Sequence, residues 1–235
     1  MRKNKGLTDK VYALPFSRAY WTDAVHALKS TRLLTTTALL CAVCALVDTF
    51  FLPLGGAFLR IQFSFLIAAV LNAVCGPCLA LPAGFLVDLL SFVCSGGDPA
   101  GYFPGYAVSS MLAFLIYALF FFRARLSFLR VFLARLTVNV FVNVIVGSVW
   151  KSMLYGKAYR VYFVSGAIKN LGLLPLETIA LYFLLSRLFP VMHRTELAPR
   201  AAEVVSVKKR DVILSVLGAA VGAAVLVWYY YSTLK

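Results

Sequence analysis

The sequence predicts an all-α integral membrane protein, and three observations carry that prediction. Hydrophobic residues make up 62% of the 235 and charged residues only 14%, with a mean hydropathy of +0.87. A soluble domain of this size has no surface that can absorb so much apolar side chain. The apolar residues fall in about seven runs near the roughly 20 residues needed to span a bilayer. The basic residues lie between those runs, mostly on alternate sides.

The first run, near 33–52, follows a polar, amphipathic segment, 1–32, that is too long for a signal-peptide n-region, so it is expected to remain as a helix. The second and third, near 61–76 and 78–95, are short and meet at Gly76-Pro77, which predicts a tight helical hairpin. Further spans are expected near 105–122, 133–150 and 165–187. A basic linker, 189–211, carries Lys208-Lys209-Arg210 and leads to a seventh span, 212–231. Gly218 and Gly222 give that last run a GxxxG spacing suited to helix pairing.

Charge orients the spans. Segments 1–32, 123–135 and 187–211 hold seven, four and six basic residues, whereas the opposite side holds Arg60, Lys151, Lys157, Arg160, Lys169 and Lys235. The positive-inside bias therefore predicts a cytoplasmic N-terminus. Loops 53–60, 95–104 and 151–164 then face outward. The third is basic and aromatic, with Trp150, Tyr155, Tyr159 and Tyr162 beside its cations. Cations placed against the bias are expected to meet an anion. Glycine and proline in the other two loops permit tight turns, and Gly55-Gly56 taken alone reads as a turn.

Polar residues inside the runs line up on faces. Asn139, Asn143, Gly147 and Trp150 form one stripe, Tyr106, Ser110, Ala113 and Tyr117 a second, and Gly84, Asp88, Ser91 and Ser95 a third. Asp48, Asp88 and Glu177 are the acidic residues nearest hydrocarbon. A carboxylate at a helix centre costs roughly 2.5–3.5 kcal/mol on insertion scales, so it is expected to face the bundle interior or a polar cavity. For Asp88 a structural hydrogen bond or ion pair competes with a ligand contact, and Asp48, near a helix end, can snorkel to the interface. Lys169 and Asn170, at the outer start of the sixth span, are the stronger binding candidates.

Other chemistries are disfavoured. Cys75-Gly76-Pro77-Cys78 spells CxxC without the βαβ setting of a redox motif, and Cys41, Cys44 and Cys94 read as small apolar residues. His26 and His193 lack any metal-ligand spacing, so neither a metal centre nor a cofactor is expected. There is no GxxxxGK[ST] loop and no GxSxG elbow. Basic residues sorted between spans argue against nucleic acid and for anionic lipid at the bilayer surface.

Four strings, in order, resemble the folate-family substrate-binding (S) components of bacterial energy-coupling factor (ECF) transporters: Leu59-Arg60-Ile61, GYFPGYAVSSMLAFLIYALFF from Gly101, WKSMLYGKAY from Trp150, and AIKNLGLLPLE from Ala167. The segment Tyr20 to Leu34 and the Gly76-Pro77 hairpin are similar too, so the likeness covers roughly residues 20–188. It implies a six-helix S-component bundle over 33–188, to which 212–231 adds an extra helix. It also implies a bacterial plasma-membrane protein that captures folate, or another vitamin or heterocycle, from outside. Its partners would be a transmembrane coupling protein and two cytoplasmic ATPases, met through small residues on the first helix, here Ala38, Ala42 and Ala45. Plain packing is the competing reading of those alanines.

The ligand contacts expected on this basis are Arg60, Gln62, Asp88, Tyr102, Asn143, Trp150, Tyr155, Lys157, Lys169 and Asn170. Cations would meet the glutamyl carboxylates of folate, and aromatic rings would stack on its flat ring systems. The rival reading is a membrane enzyme or lipid-handling protein using Asp88, Glu177 or Lys169 as acid or base.

Overall fold

The computed structural model describes residues 11–12, 17–53, 60–96, 101–156, 158–195, 197 and 224. Lys157, segments 54–59 and 97–100, the linker beyond residue 197 and all of the expected seventh span but Ala224 lie outside the described residues.

Helix α1 (Arg18–Leu28) opens at Ser17, whose Oγ accepts from the Tyr20 N–H at 3.2 Å, satisfying one of the free donors of the first turn. Tyr20, Ala24 and Ala27 recur at helical spacing and bury one face against the bundle, while Trp21, Val25 and Leu28 stay exposed. The Tyr20 hydroxyl donates to the Ala118 carbonyl at 3.2 Å, and its ring meets Phe122 edge-on at 5.6 Å. Beside it Asp23 accepts from Arg123 and, at 2.9 Å, from Tyr12.

Helix α2 (Thr31–Asp48) turns Leu33, Thr37, Cys41, Cys44 and Ala45 inward. A short antiparallel ribbon follows, β1 (Phe51–Pro53) with β2 (Arg60–Gln62), pairing Phe51 with Gln62 and Pro53 with Arg60. Helix α3 (Ser64–Cys75) begins where the ribbon ends. At 12 residues it is about 18 Å long, short of the roughly 30 Å hydrocarbon core. Every residue from Ala68 to Cys75 is buried, as expected of a helix that is apolar all round and central to the bundle.

The hairpin at Gly76-Pro77 is present. Gly76 has φ 74, and a Cβ there would meet the Phe122 ring at 2.9 Å, so only glycine makes this turn. Pro77 starts helix α4 (Pro77–Cys94) at the position where a missing N–H costs nothing. Pro104 does the same for α5 (Pro104–Phe121). Helices α4 and α5 touch backbone to backbone: a Cβ on Gly84 would lie 2.8 Å from the Met111 Cα.

One continuous helix follows, built of α6 (Phe128–Thr137), a π-helical stretch (Val138–Val146) and α7 (Gly147–Tyr155). Helix α8 (Tyr159–Arg194) runs back for 36 residues, about 54 Å. Both exceed the expected spans of 133–150 and 165–187. Most of the supposed loop 151–164 is helix, and only the turn around Gly156, whose φ is 69, separates α7 from α8. Hydropathy marks where a helix leaves the membrane, and the helix itself ends later, at a left-handed glycine cap.

Among the described residues, five helices are long and apolar enough to cross a membrane, namely α2, α4, α5, the α6–α7 helix and α8, with α3 as a shorter apolar helix among them. The all-α membrane fold of the sequence reading is the fold observed, with the small ribbon as its one exception among the described residues. The core runs through Cys41, Leu71, Cys75, Val87, Phe114, Tyr117, Leu181 and Leu185. Alternating helices gather the ribbon, Tyr102 and Gly156 at one end of the bundle, and α1, Gly76 and Arg123 at the other.

Candidate functional site

At the ribbon end, two small sites are joined by consecutive residues. Tyr102 donates its hydroxyl to Asp88 of α4 at 2.9 Å and sets its ring edge-on to Phe92 at 5.3 Å. Desolvation, then the bond to Asp88, pushes the Tyr102 hydroxyl up to about 12, so it remains a donor at physiological pH. The next residue, Phe103, lies 5.7 Å from the Trp150 ring on α7. The Trp150 indole N–H donates to Ser109 Oγ at 3.0 Å. Gly105 permits this approach, because a Cβ there would strike both Phe103 and Trp150. Nearby, Gln62 at the end of β2 donates to Asp48 at the end of α2, at 3.3 Å.

Deeper in the bundle a polar chain runs between the α6–α7 helix and α8. Arg135 donates through Nε to Glu177 Oε2 at 2.9 Å, and its Nη2 lies 2.7 Å from Oε1, a two-pronged pair with both side chains buried. Its remaining Nη1 donates to the Tyr117 hydroxyl at 2.6 Å, and its guanidinium lies 4.0 Å over the Phe65 ring. Asn139, fully buried in the π-helical stretch, donates to Glu177 Oε2 at 2.8 Å and to the Asn170 carbonyl at 3.1 Å. Asn143 donates to Asn139 Oδ1 at 3.0 Å and Asn170 Oδ1 at 3.3 Å. A π-helical stretch within an α-helix often marks a functional site, and this one carries both asparagines.

The expected ligand residues are thus partly assembled. Asp88 meets Tyr102, Asn143 meets Asn170, and Trp150 joins the Tyr102-Phe103 step through Phe103. Lys169 and Asn170 sit about 15 Å into α8 rather than at its start, and both are half-buried. Tyr155 is 62% exposed, its ring 6.3 Å from that of Tyr162. Arg60 opens β2 opposite Pro53, and Gln62 is exposed. On α2, Ala38 and Ala42 are exposed and Ala45 is buried. No group of three or more His, Cys, Asp or Glu placed to hold a metal occurs among the described residues. Buried Cys75 and half-buried Cys78 flank the Gly76-Pro77 turn as free thiols.

The sequence reading missed the centre of the polar chain. It counted Arg135 as a flanking cation, whereas Arg135 is buried and paired inside the bundle. The signal was present: Arg135, Asn139 and Asn143 are spaced by four, and Asn170 and Glu177 by seven.

No family model matches the chain. It is 34% identical over 138 residues to the folate transporter FolT of Clostridium novyi (strain NT), a match covering 58% of this chain and 78% of that one. The chain belongs to the FolT folate-transporter family. It is also 26% identical over 141 residues to a FolT of Leuconostoc mesenteroides, covering 57% of this chain and 75% of the relative. A crystal structure of FolT bound with folic acid superposes on it with a TM-score of 0.58 at 30% identity, covering 66% of this chain and 91% of the other. As a FolT-family protein it is a multi-pass membrane transporter component and not an enzyme, so the reading of Asp88, Glu177 or Lys169 as a catalytic acid or base falls away.

Proposed function

We propose that this protein is the membrane-embedded substrate-binding subunit of an ECF-type uptake system, capturing folate from outside a bacterial cell. Its N-terminus is cytoplasmic in this reading, so the ribbon end faces outward and α1 lies on the cytoplasmic side. The carrying observation is the likeness to FolT bound with folic acid. The arrangement of the ribbon end supports it: aromatic rings at Tyr102, Phe103 and Trp150 and polar groups at Asp88, Asn143 and Asn170 suit a flat heterocycle, and the cations that the sequence supplies at Arg60, Lys157 and Lys169 suit its carboxylates. Energy would come from a transmembrane coupling protein and two ATPases, since the chain carries no P-loop. The exposed strip of Ala38 and Ala42 is the surface we assign to docking on that coupling protein.

Calorimetry on purified protein tests the reading. Wild type is expected to bind folic acid, and Arg60→Ala and Lys169→Ala to bind it about 10- to 100-fold more weakly, the loss of a charge-assisted hydrogen bond of about 1.5–3 kcal/mol. Wild-type protein that ignores both oxidised and reduced folates sinks the ligand assignment. Normal binding by both variants keeps the ligand and removes these two residues from its site.

A further inference from the structure

We infer that the α1 end of the bundle holds a site for the headgroup phosphate of an anionic phospholipid, in the cavity between the segment preceding α1 and the start of α6. This site is separate from folate capture, and its test stands whether or not folate is the cargo.

The cavity, about 360 Å³, is lined among the described residues by Val11, Tyr12, Arg125 and Arg130. One wall is pinned twice. The Tyr12 main-chain N–H donates to the Arg123 carbonyl at 2.9 Å, and its hydroxyl donates to Asp23 of α1, also at 2.9 Å. Asp23 accepts from Arg123 as well, and the Arg123 side chain is buried. Arg123 turns the chain with a φ of 48, a left-handed conformation that is unfavourable for a non-glycine residue and persists where its surroundings fix it. Asp23 and the Phe122 ring, 5.6 Å from the guanidinium, are those surroundings.

The other wall is the first turn of α6. Ser127 caps it by accepting from the Arg130 N–H at 3.3 Å, and Arg130 reaches back through Nη1 to the Arg125 carbonyl at 3.4 Å. Residues 123–135 contain four arginines and no carboxylate. Asp23 meets Arg123 and Glu177 meets Arg135, so the charge that this stretch brings to the cavity is that of Arg125 and Arg130. A guanidinium fork matches the oxygens of a phosphate. The start of a helix adds partial positive charge of its own.

The surroundings favour a lipid as the source of that phosphate. Leu129 and Leu133 are 64% and 41% exposed and one turn apart, so they form an apolar strip running from the arginines along α6 towards the middle of the bundle. An acyl chain can lie on this strip while its headgroup meets Arg125 and Arg130. Helix α1 sets the depth, because Trp21, Val25 and Leu28 stay exposed on it and such side chains rest at the bilayer interface. A choline headgroup carries a fixed cation that two arginines repel, whereas a glycerol headgroup leaves the phosphate charge uncompensated. Basic pockets at this level are suited to the second kind.

Native mass spectrometry of the purified full-length protein, titrated with phosphatidylglycerol or with phosphatidylcholine of the same chain length, tests this. Wild type is expected to bind one phosphatidylglycerol about 5- to 30-fold more tightly than phosphatidylcholine, and Arg125→Gln with Arg130→Gln to bind the two within about twofold. Arg125→Gln alone, at an exposed side chain, is expected to lose part of the preference, and it serves if the double variant does not insert. Arg18→Gln with Lys29→Gln removes the same charge from exposed positions at the two ends of α1 and should keep the wild-type preference. Equal binding of both lipids by wild type overturns the inference, as does a preference that survives in the Arg125 and Arg130 variants. An equal loss in the two charge-matched double variants also overturns it, by reducing the effect to the general pull of a basic surface. Displacement of the lipid by inorganic phosphate overturns the lipid assignment and makes this a site for a soluble anion.

Discussion

Gly84 and Met111 are in backbone contact: the missing Cβ of Gly84 would lie 2.8 Å from the Met111 Cα and 2.9 Å from its N. This seam sets the approach of α4 to α5, and thereby the register of Asp88 with the Tyr102 segment that leads into α5. Glycine here is a packing requirement, since α4 is regular at this point and no unusual φ is involved. Gly84→Ala is expected to push the helices apart at a cost of about 1–3 kcal/mol, and Gly84→Leu more. Thermal unfolding in detergent reads the loss, and an unchanged midpoint for Gly84→Leu would reject the close approach.

Tyr102→Phe removes the hydroxyl that reaches Asp88 and keeps the edge-on contact with Phe92. The Asp88 carboxylate then loses its one side-chain donor among the described residues. The variant should fold, and its affinity for folic acid should fall by about tenfold, the scale of one hydrogen bond to a charged group. Unaltered affinity would place the Tyr102–Asp88 link outside the binding site.

How much of this was legible in the sequence depended on the physical signal behind each feature. Composition and basic-residue asymmetry are summed over many residues, and they gave the membrane class and all-α architecture. The Gly76-Pro77 turn was legible because a positive φ and an N1 proline leave a local mark. The ends of α7 and α8 were not, because Tyr155, Tyr159 and Arg160 are polar enough to resemble a loop while still continuing a helix. The two-pronged Arg135–Glu177 pair joins residues 42 apart, and single-chain periodicity cannot pair faces of different helices. Asn139 and Asn143 were visible as a stripe, yet their partners Glu177 and Asn170 lie on the facing helix.

Arg135→Met leaves the Glu177 carboxylate buried with Asn139 as its remaining side-chain partner. Breaking a buried ion pair from one side costs about 3–5 kcal/mol, whereas replacing both partners with apolar side chains of similar volume is often neutral. The single variant should therefore unfold at a markedly lower temperature than wild type, and Arg135→Met with Glu177→Leu should recover much of the difference. A double variant less stable than either single one would mean that the pair contributes more than it costs to bury.

Docking on a coupling protein would use the alanines of α2, and their burial divides them. Ala38 and Ala42 are exposed one turn apart, whereas Ala45 is 1% exposed and belongs to the bundle interior. Small residues at this spacing let another helix approach closely, so a tryptophan at either exposed position should block a partner without disturbing the fold. Ala38→Trp and Ala42→Trp are expected to bind folic acid like wild type and to lose both co-purification with the coupling protein and folate uptake. Ala45→Trp is the internal control: its bulk has no room in the core, and it should lower stability and binding together. If Ala38→Trp and Ala42→Trp lose binding to the same extent as uptake, the exposed strip serves the bundle itself and the docking surface lies elsewhere.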